Sequence, residues 1–282
     1  MSVGLVLEGG GMRGIYTAGA LEYFLEKEIH IPYVIAVSAG ACNGTGYVAR
    51  QKKRNFTVLT KYINDPRYLS LRNLIKKGCI FDFDFVIDEL ADKLEPLNKE
   101  DFFSSKTRFV TGATDVVTGK TVYCEKEEYK ENFNFLRASC SQPFLSKIVD
   151  YKGKYLLDGG ITDPIPIRKS IEDGNDKNII ILTRHKGYQK KREYSYRMCK
   201  HLYGEYPELV EQLMTRDVQY NKTLKFCYQL QEEGKAIIIQ PEEKLPVNRL
   251  EKDRGKLVET YRIGIHDAKK RKKDILDLLE AG

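Results

Sequence analysis

The chain opens on a short apolar strand, Val3 to Leu7, that runs past Glu8 straight into Gly9-Gly10-Gly11-Met12-Arg13-Gly14. No other feature limits the fold as much. Consecutive glycines let the backbone turn sharply and leave their N–H groups bare before a helix that starts near Arg13. Bare N–H groups at a helix N-terminus attract negative charge, so the loop reads as an anion cradle. A second strand, Val34 to Val37, passes through Ser38 into Ala39, Gly40 and Ala41 at a helix start. Strand, tight turn and helix with small residues on both sides make the layout of a nucleophile elbow, which pushes a serine hydroxyl into the open. The segment departs from G-x-S-x-G at one position, where Ala36 replaces the first glycine.

Each piece has a plainer alternative. Gly9, Gly11 and Gly14 also fit a dinucleotide fingerprint, but that reading needs an acidic residue about 20 positions on, near the end of the second strand. That strand ends in Ser38, while Glu26 and Glu28 fall earlier. A phosphate loop of the Walker type is excluded because no Lys-Ser or Lys-Thr pair follows the glycines. For Ser38 the alternative is an ordinary helix-capping serine. Crowding by small residues at 36, 39 and 40 favours the elbow.

Beyond the elbow helix, residues 51 to 105 are charged and helical in patches. Their Tyr62, Tyr68, Leu69, Leu71, Leu74, Ile75, Phe81, Phe83 and Phe85 are read either as an acyl pocket or as core. Phe109 to Ala113, a turn at Thr118-Gly119-Lys120, and Thr121 to Cys124 form a hairpin pattern. A helix over Phe133 to Ser139 follows. Ile148 to Asp150 and Lys154 to Leu157 then lead to Asp158-Gly159-Gly160, and Asn178 to Thr183 is a buried strand. The alternation predicts an α/β fold with a mostly parallel sheet covered by helices on both faces. Helices over Glu205 to Gln231 and Asn248 to Leu279 flank a strand from Ala236 to Gln240, and no chemistry is evident there.

With 282 residues, 41% of them hydrophobic, and neither a linker nor a repeat, one domain with a helical C-terminal extension is expected. The start has no basic n-region, and no apolar run approaches the ~20 residues of a membrane span. A soluble, cytoplasmic protein is therefore expected. Six cysteines are scattered singly, so free thiols are expected and no metal site. Cys42 is read as a buried residue near the elbow. The formal charge of +7 is concentrated in Lys52-Lys53-Arg54, Lys190-Lys191-Arg192 and Lys269 to Lys273. Solvated faces are the first reading of these clusters, peripheral contact with an anionic membrane the second; nucleic acid ranks lower still and is not expected.

A serine nucleophile needs a base. Among His30, His185, His201 and His266, only His185 follows the C-terminal end of a buried strand, where α/β sheets carry their sites. Asp158 is the other candidate. Its plainer reading is an Asp-Gly turn, yet burial beside Leu157 and Ile161 raises a carboxyl toward basicity.

Taken in order, the glycine loop, the elbow Ala36-Val37-Ser38-Ala39-Gly40 and the motif Asp158-Gly159-Gly160 resemble the patatin-like phospholipase family. The stretch Ala138 to Pro143, and Asp163 and Pro166 after the aspartate, add to the resemblance, which covers residues 3 to about 183. It implies a three-layer α/β/α catalytic core, placed here at residues 1–185, with residues 186–282 as a mainly helical extension packed on the same domain. It also implies a serine acyl hydrolase that cleaves lipid acyl esters by a Ser/Asp dyad without histidine and without a cofactor. Ser38 would be the nucleophile and Asp158 the general base. Gly10 and Gly11, helped by Arg13, would form the oxyanion hole. Gly9, Gly14, Ala36, Gly40, Gly159 and Gly160 would support the motifs. The rival readings are a non-catalytic lipid-binding relative and a dinucleotide-binding protein using the Gly9 to Gly14 loop.

Overall fold

A computed structural model of the chain describes residues 2–280. Eight strands form one sheet: β1 (Val3–Leu7), β2 (Tyr33–Val37), β3 (Arg108–Asp115), β4 (Thr121–Glu125), β5 (Val149–Tyr151), β6 (Lys154–Asp158), β7 (Lys177–Ile181) and β8 (Ala236–Ile239). Strands β8, β7, β1, β2 and β3 lie side by side and parallel, while β4, β5 and β6 join antiparallel at the β3 end. β1, β7 and β8 are dominated by Val, Ile and Leu, broken only by Gly4, by Lys177 and Asn178, and by Ala236, because both faces of the parallel part are covered.

One face carries α1 (Gly14–Glu26), α2 (Ala39–Val48) and the helix Arg254–Lys270 over Leu5, Leu7, Val34, Ala36 and Ile181. The other carries the helix Pro207–Glu232, whose Tyr220, Leu224, Cys227 and Leu230 pack on Val6, Ile35, Ile180 and Ile238. These layers make the three-layer α/β/α architecture, and the C-terminal segment supplies a strand and a covering helix on each face. Burying side chains of this size is worth roughly 1.5–3 kcal/mol each.

Several sequence expectations shift here. The helix expected from Asn248 to Leu279 is two helices, Arg254–Lys270 and Lys272–Glu280, the first capped by Asp253 accepting from the N–H of Lys256 at 3.0 Å. Leu71 and Ile75 are neither pocket nor core: they are 70% and 85% exposed. Both lie on the short helix Leu71–Lys77, an excursion between the paired residues Leu69 and Phe81. The basic triplets are not uniformly solvated either, since Lys190 is buried and Arg54 turns inward to the backbone carbonyl of Glu95. No helix among the described residues is long and apolar enough to cross a membrane.

Candidate active site

The site forms where two strands meet end to end on one edge of β3. β2 runs parallel to β3 and stops at Val37, opposite Gly112. β6 arrives antiparallel and stops at Asp158, opposite Ala113. Ser38 and Asp158 therefore emerge side by side from the strand ends. The Ser38 hydroxyl donates to Asp158 Oδ2 at 2.7 Å. Asp158 Oδ1 accepts from the Gly160 N–H at 2.7 Å, so both carboxylate oxygens are engaged.

Ser38 holds φ 53° and ψ −130°, a conformation that L-residues avoid and that costs on the order of 1–3 kcal/mol. The elbow forms with Ala36 in place, fully buried in β2. Two contacts make the turn tight. A Cβ on Gly40 would stand 2.7 Å from the carbonyl oxygens of Leu7 and Glu8, and one on Gly159 would stand 2.2 Å from the Gly112 carbonyl. Ser139, buried in the helix Asn134–Cys140, accepts from the Ser38 N–H at 2.9 Å and donates to the Gly112 carbonyl at 2.7 Å. It ties elbow to sheet.

Gly9, Gly10 and Gly11 face Ser38 and Asp158 across a small chamber. Their N–H groups take no hydrogen bond among the described residues, whereas the neighbouring N–H groups of Met12 and Arg13 are engaged by the carbonyls of Arg249 and Gly10. Gly14 starts α1, and its carbonyl accepts from Asn43 on α2 at 2.7 Å. Arg13 is buried and lines the same chamber; burial, then Arg184, pulls its pKa down to about 10. Asp158 is buried as well. Desolvation pushes its carboxyl above the usual carboxylate range, against the pull of the Ser38 hydroxyl and Arg216.

On the other side of Ser38 an apolar pocket extends between Tyr68, Phe81, Phe83, Ile87, Phe133 and Leu136. Of the aromatic residues singled out in the 51 to 105 segment, Tyr68, Phe81 and Phe83 line it, whereas Phe85 is core. Cys42 also lines it, half-buried, with its Sγ 3.4 Å from that of Cys140.

His185 does not join the group. Its ring packs edge-on against Tyr188 at 5.8 Å, outside the lining of the chamber. The residues that sequence reading missed are Ser139, Glu8 and the C-terminal cations. Glu8 closes β1 by accepting from the Thr183 N–H at 2.5 Å and the Tyr220 hydroxyl at 2.7 Å. Arg216 donates from Nε to the Gly160 carbonyl at 2.7 Å, holding the turn after Asp158. Hence the C-terminal segment, which carried no visible chemistry in the sequence, lines the site.

A serine at a strand-to-helix elbow, hydrogen-bonded to a buried carboxylate and facing free backbone amides, is the constellation of acyl-transfer chemistry. The profile of patatin-like phospholipases matches residues 5–170, and the chain belongs to this family. A domain of unknown function (DUF6363) matches residues 206–280. The uncharacterized protein YjjU of Escherichia coli is 28% identical over 195 residues, covering 64% of this chain and 52% of its own. An uncharacterized NTE family protein of Mycobacterium bovis is 27% identical over 166 residues, 58% of this chain and 44% of its own. A probable lipid hydrolase of invertebrate iridescent virus 6 is 27% identical over 194 residues, 62% of this chain and 65% of its own. The match thus spans about half the length of the first two of these curated relatives. The crystal structure of VipD from Legionella pneumophila superposes with a TM-score of 0.48 at 12% identity, covering 98% of this chain and 67% of VipD.

Proposed function

We propose that the protein is a lipid acyl hydrolase in which Ser38 and Asp158 act as a dyad. The observation that carries this reading is the 2.7 Å hydrogen bond from the Ser38 hydroxyl to a buried Asp158 carboxylate. Ser38 Oγ attacks the ester carbonyl as its proton passes to Asp158 Oδ2. The carbonyl oxygen becomes an oxyanion held by the free N–H groups of Gly10 and Gly11, with Arg13 adding positive charge. Collapse expels the alcohol, which takes the proton back from Asp158, and leaves an acyl ester on Ser38. Water then attacks that ester, gives its proton to Asp158, and releases the acid as Ser38 recovers the proton. The acyl chain lies in the pocket of Tyr68, Phe81 and Phe133, a lining that favours apolar tails.

Residues 1–185 serve as the catalytic core in this reading, and residues 186–282 complete the same domain. Six free cysteines fit a reducing, cytoplasmic setting. Contact with an anionic membrane is supported by the exposed Leu71 and Ile75 among the exposed Arg72 and Lys76, close to the pocket lining. Covalent labelling by a fluorophosphonate, measured beside turnover of a short-chain ester, tests the proposal. Labelling that persists in Ser38→Ala would contradict it.

A further inference from the structure

Two cavities open on Ser38, and they share only Gly11, Ser38 and Gln142. One is the apolar pocket. The other, the chamber bounded by the glycine loop and Asp158, is crowded with cations: Arg13, Arg184, Lys190, Arg216 and Arg249. Three of these come together on one carboxylate. Glu193 accepts from Lys190 at 2.8 Å, Arg216 at 2.9 Å and Arg249 at 2.9 Å. Glu8 is taken up by Thr183 and Tyr220, and Asp158 by Ser38 and Gly160. Arg13 and Arg184 form no ion pair among the described residues, and Arg13 Nε is buried with no hydrogen-bond partner at all.

Arg13 and Lys190 are buried and the other three half-buried, and such an excess of positive charge is unfavourable by itself. Lys190 shows the strain, its pKa brought down to about 8 by burial and then by Arg216. An anion in the chamber relieves it, and guanidinium forks suit phosphate oxygens best. A trimethylammonium group suits it less well, because five cations face only the two carboxylates Glu8 and Asp158 in its lining. The carboxylates are all engaged, the ring of Tyr188 is covered by Arg184 at 4.2 Å, and Lys190 lies 5.7 Å from the ring of Tyr220.

Building on the hydrolase reading, we propose that this chamber is a phosphate-binding subsite for the alcohol end of the substrate. The substrate class is then an acyl ester whose alcohol part ends in a phosphate monoester, with its acyl chain in the apolar pocket and its phosphate against Arg13 and Arg184. The ester carbonyl comes to Ser38 between the two, where the cavities join.

The test compares kcat/KM on three hexanoyl esters, all kept below their aggregation limit: hexanoylglycerol 3-phosphate, hexanoylglycerophosphocholine and hexanoylglycerol. We expect the phosphate monoester to be preferred by roughly tenfold or more, the range of a charge-assisted hydrogen bond. Arg184→Gln is expected to lower the ratio of phosphate ester to neutral ester by a similar factor. Equal use of the three esters, or a ratio untouched by Arg184→Gln, overturns the subsite and leaves the hydrolase standing. If no ester is turned over and no fluorophosphonate label is taken up, the hydrolase reading itself fails. Inorganic phosphate added to the hexanoylglycerol assay separates the two sources of phosphate. Inhibition that depends on Arg184, without preference for the phosphate ester, marks a free-phosphate site and overturns the substrate assignment.

Discussion

Val37 and Asp158 face consecutive residues of β3, Gly112 and Ala113, from opposite strand directions. The separation of Ser38 and Asp158 is thereby set by one backbone register rather than by a loop. A strand end is a stiffer support than a flexible connection, and the hydrogen bond from Ser38 to Asp158 is in place without substrate.

Asp158→Asn is expected to lower kcat by ~10² to 10⁴, because an amide cannot accept the serine proton. Burial raises the Asp158 carboxyl above the usual carboxylate range. As the proposed base, Asp158 would work only when ionised, so activity is expected to be lost as pH falls through this raised pKa. The acid limb of the kcat/KM profile should accordingly lie above that of an exposed aspartate. An acid limb at the position of an ordinary carboxylate would assign the titration to another group.

Substitutions at Ser38 separate chemistry from strain. Ser38→Ala and Ser38→Gly both remove the hydroxyl, and both should abolish turnover. With φ at 53°, glycine is the residue the turn prefers, so Ser38→Gly should be more stable than Ser38→Ala by about 1 kcal/mol or more. Denaturant melts of the two variants give the comparison. The reverse order would mean that the elbow relaxes on substitution.

Ser139 is a positioning residue. Replacing it with alanine leaves the Ser38 N–H and the Gly112 carbonyl without their partner inside the core. Each orphaned group costs roughly 1–3 kcal/mol. Ser139→Ala should therefore lower stability by this order and kcat more than it raises KM. Ser139→Thr, which keeps the hydroxyl, should recover part of the rate. If Ser139→Thr is as slow as Ser139→Ala, the hydroxyl is not what positions Ser38.

Much of this arrangement was legible in the chain because it is written locally. β1 is found at Val3–Leu7 as the apolar run indicates, and the glycine loop, elbow and Asp-Gly-Gly turn each follow a strand. Residues acting across long separations were not legible. Ser139 meets the Ser38 N–H from 101 positions away, and Arg216 meets Gly160 from 56. A serine inside a helix, or an arginine on a long amphipathic one, looks the same whether it faces solvent or a site. Leu71 and Ile75 were misread for the opposite reason: apolar character is an argument for burial only where the backbone turns inward, and the excursion from Leu69 to Phe81 turns outward.

That outward helix should take part in binding to lipid surfaces. Replacing Leu71 and Ile75 together by serine removes two side chains worth up to roughly 1.5–3 kcal/mol each on full burial. Cosedimentation with anionic vesicles should fall tenfold or more. In the unsubstituted protein it should weaken with salt as the screening length drops below about 10 Å at 0.1 M. Vesicle binding that is indifferent to both changes would place the contact elsewhere.

The histidines decide whether the pair acts alone. In a triad the imidazole stands between hydroxyl and carboxylate, and Asp158 would serve only to orient it. Here Ser38 donates directly to Asp158 at 2.7 Å, and the second carboxylate oxygen accepts from the Gly160 N–H at 2.7 Å, so no imidazole stands between hydroxyl and carboxylate. His185 leans on Tyr188, His201 lies on the helix Tyr196–Tyr203, and His266 lies on Arg254–Lys270. His185→Ala, His201→Ala and His266→Ala are each expected to keep kcat/KM on a neutral short-chain ester within about threefold of the unsubstituted protein, well short of the ~10² to 10⁴ carried by a general base. A folded histidine variant as inactive as Ser38→Ala would replace the dyad with a triad that assembles only on substrate binding.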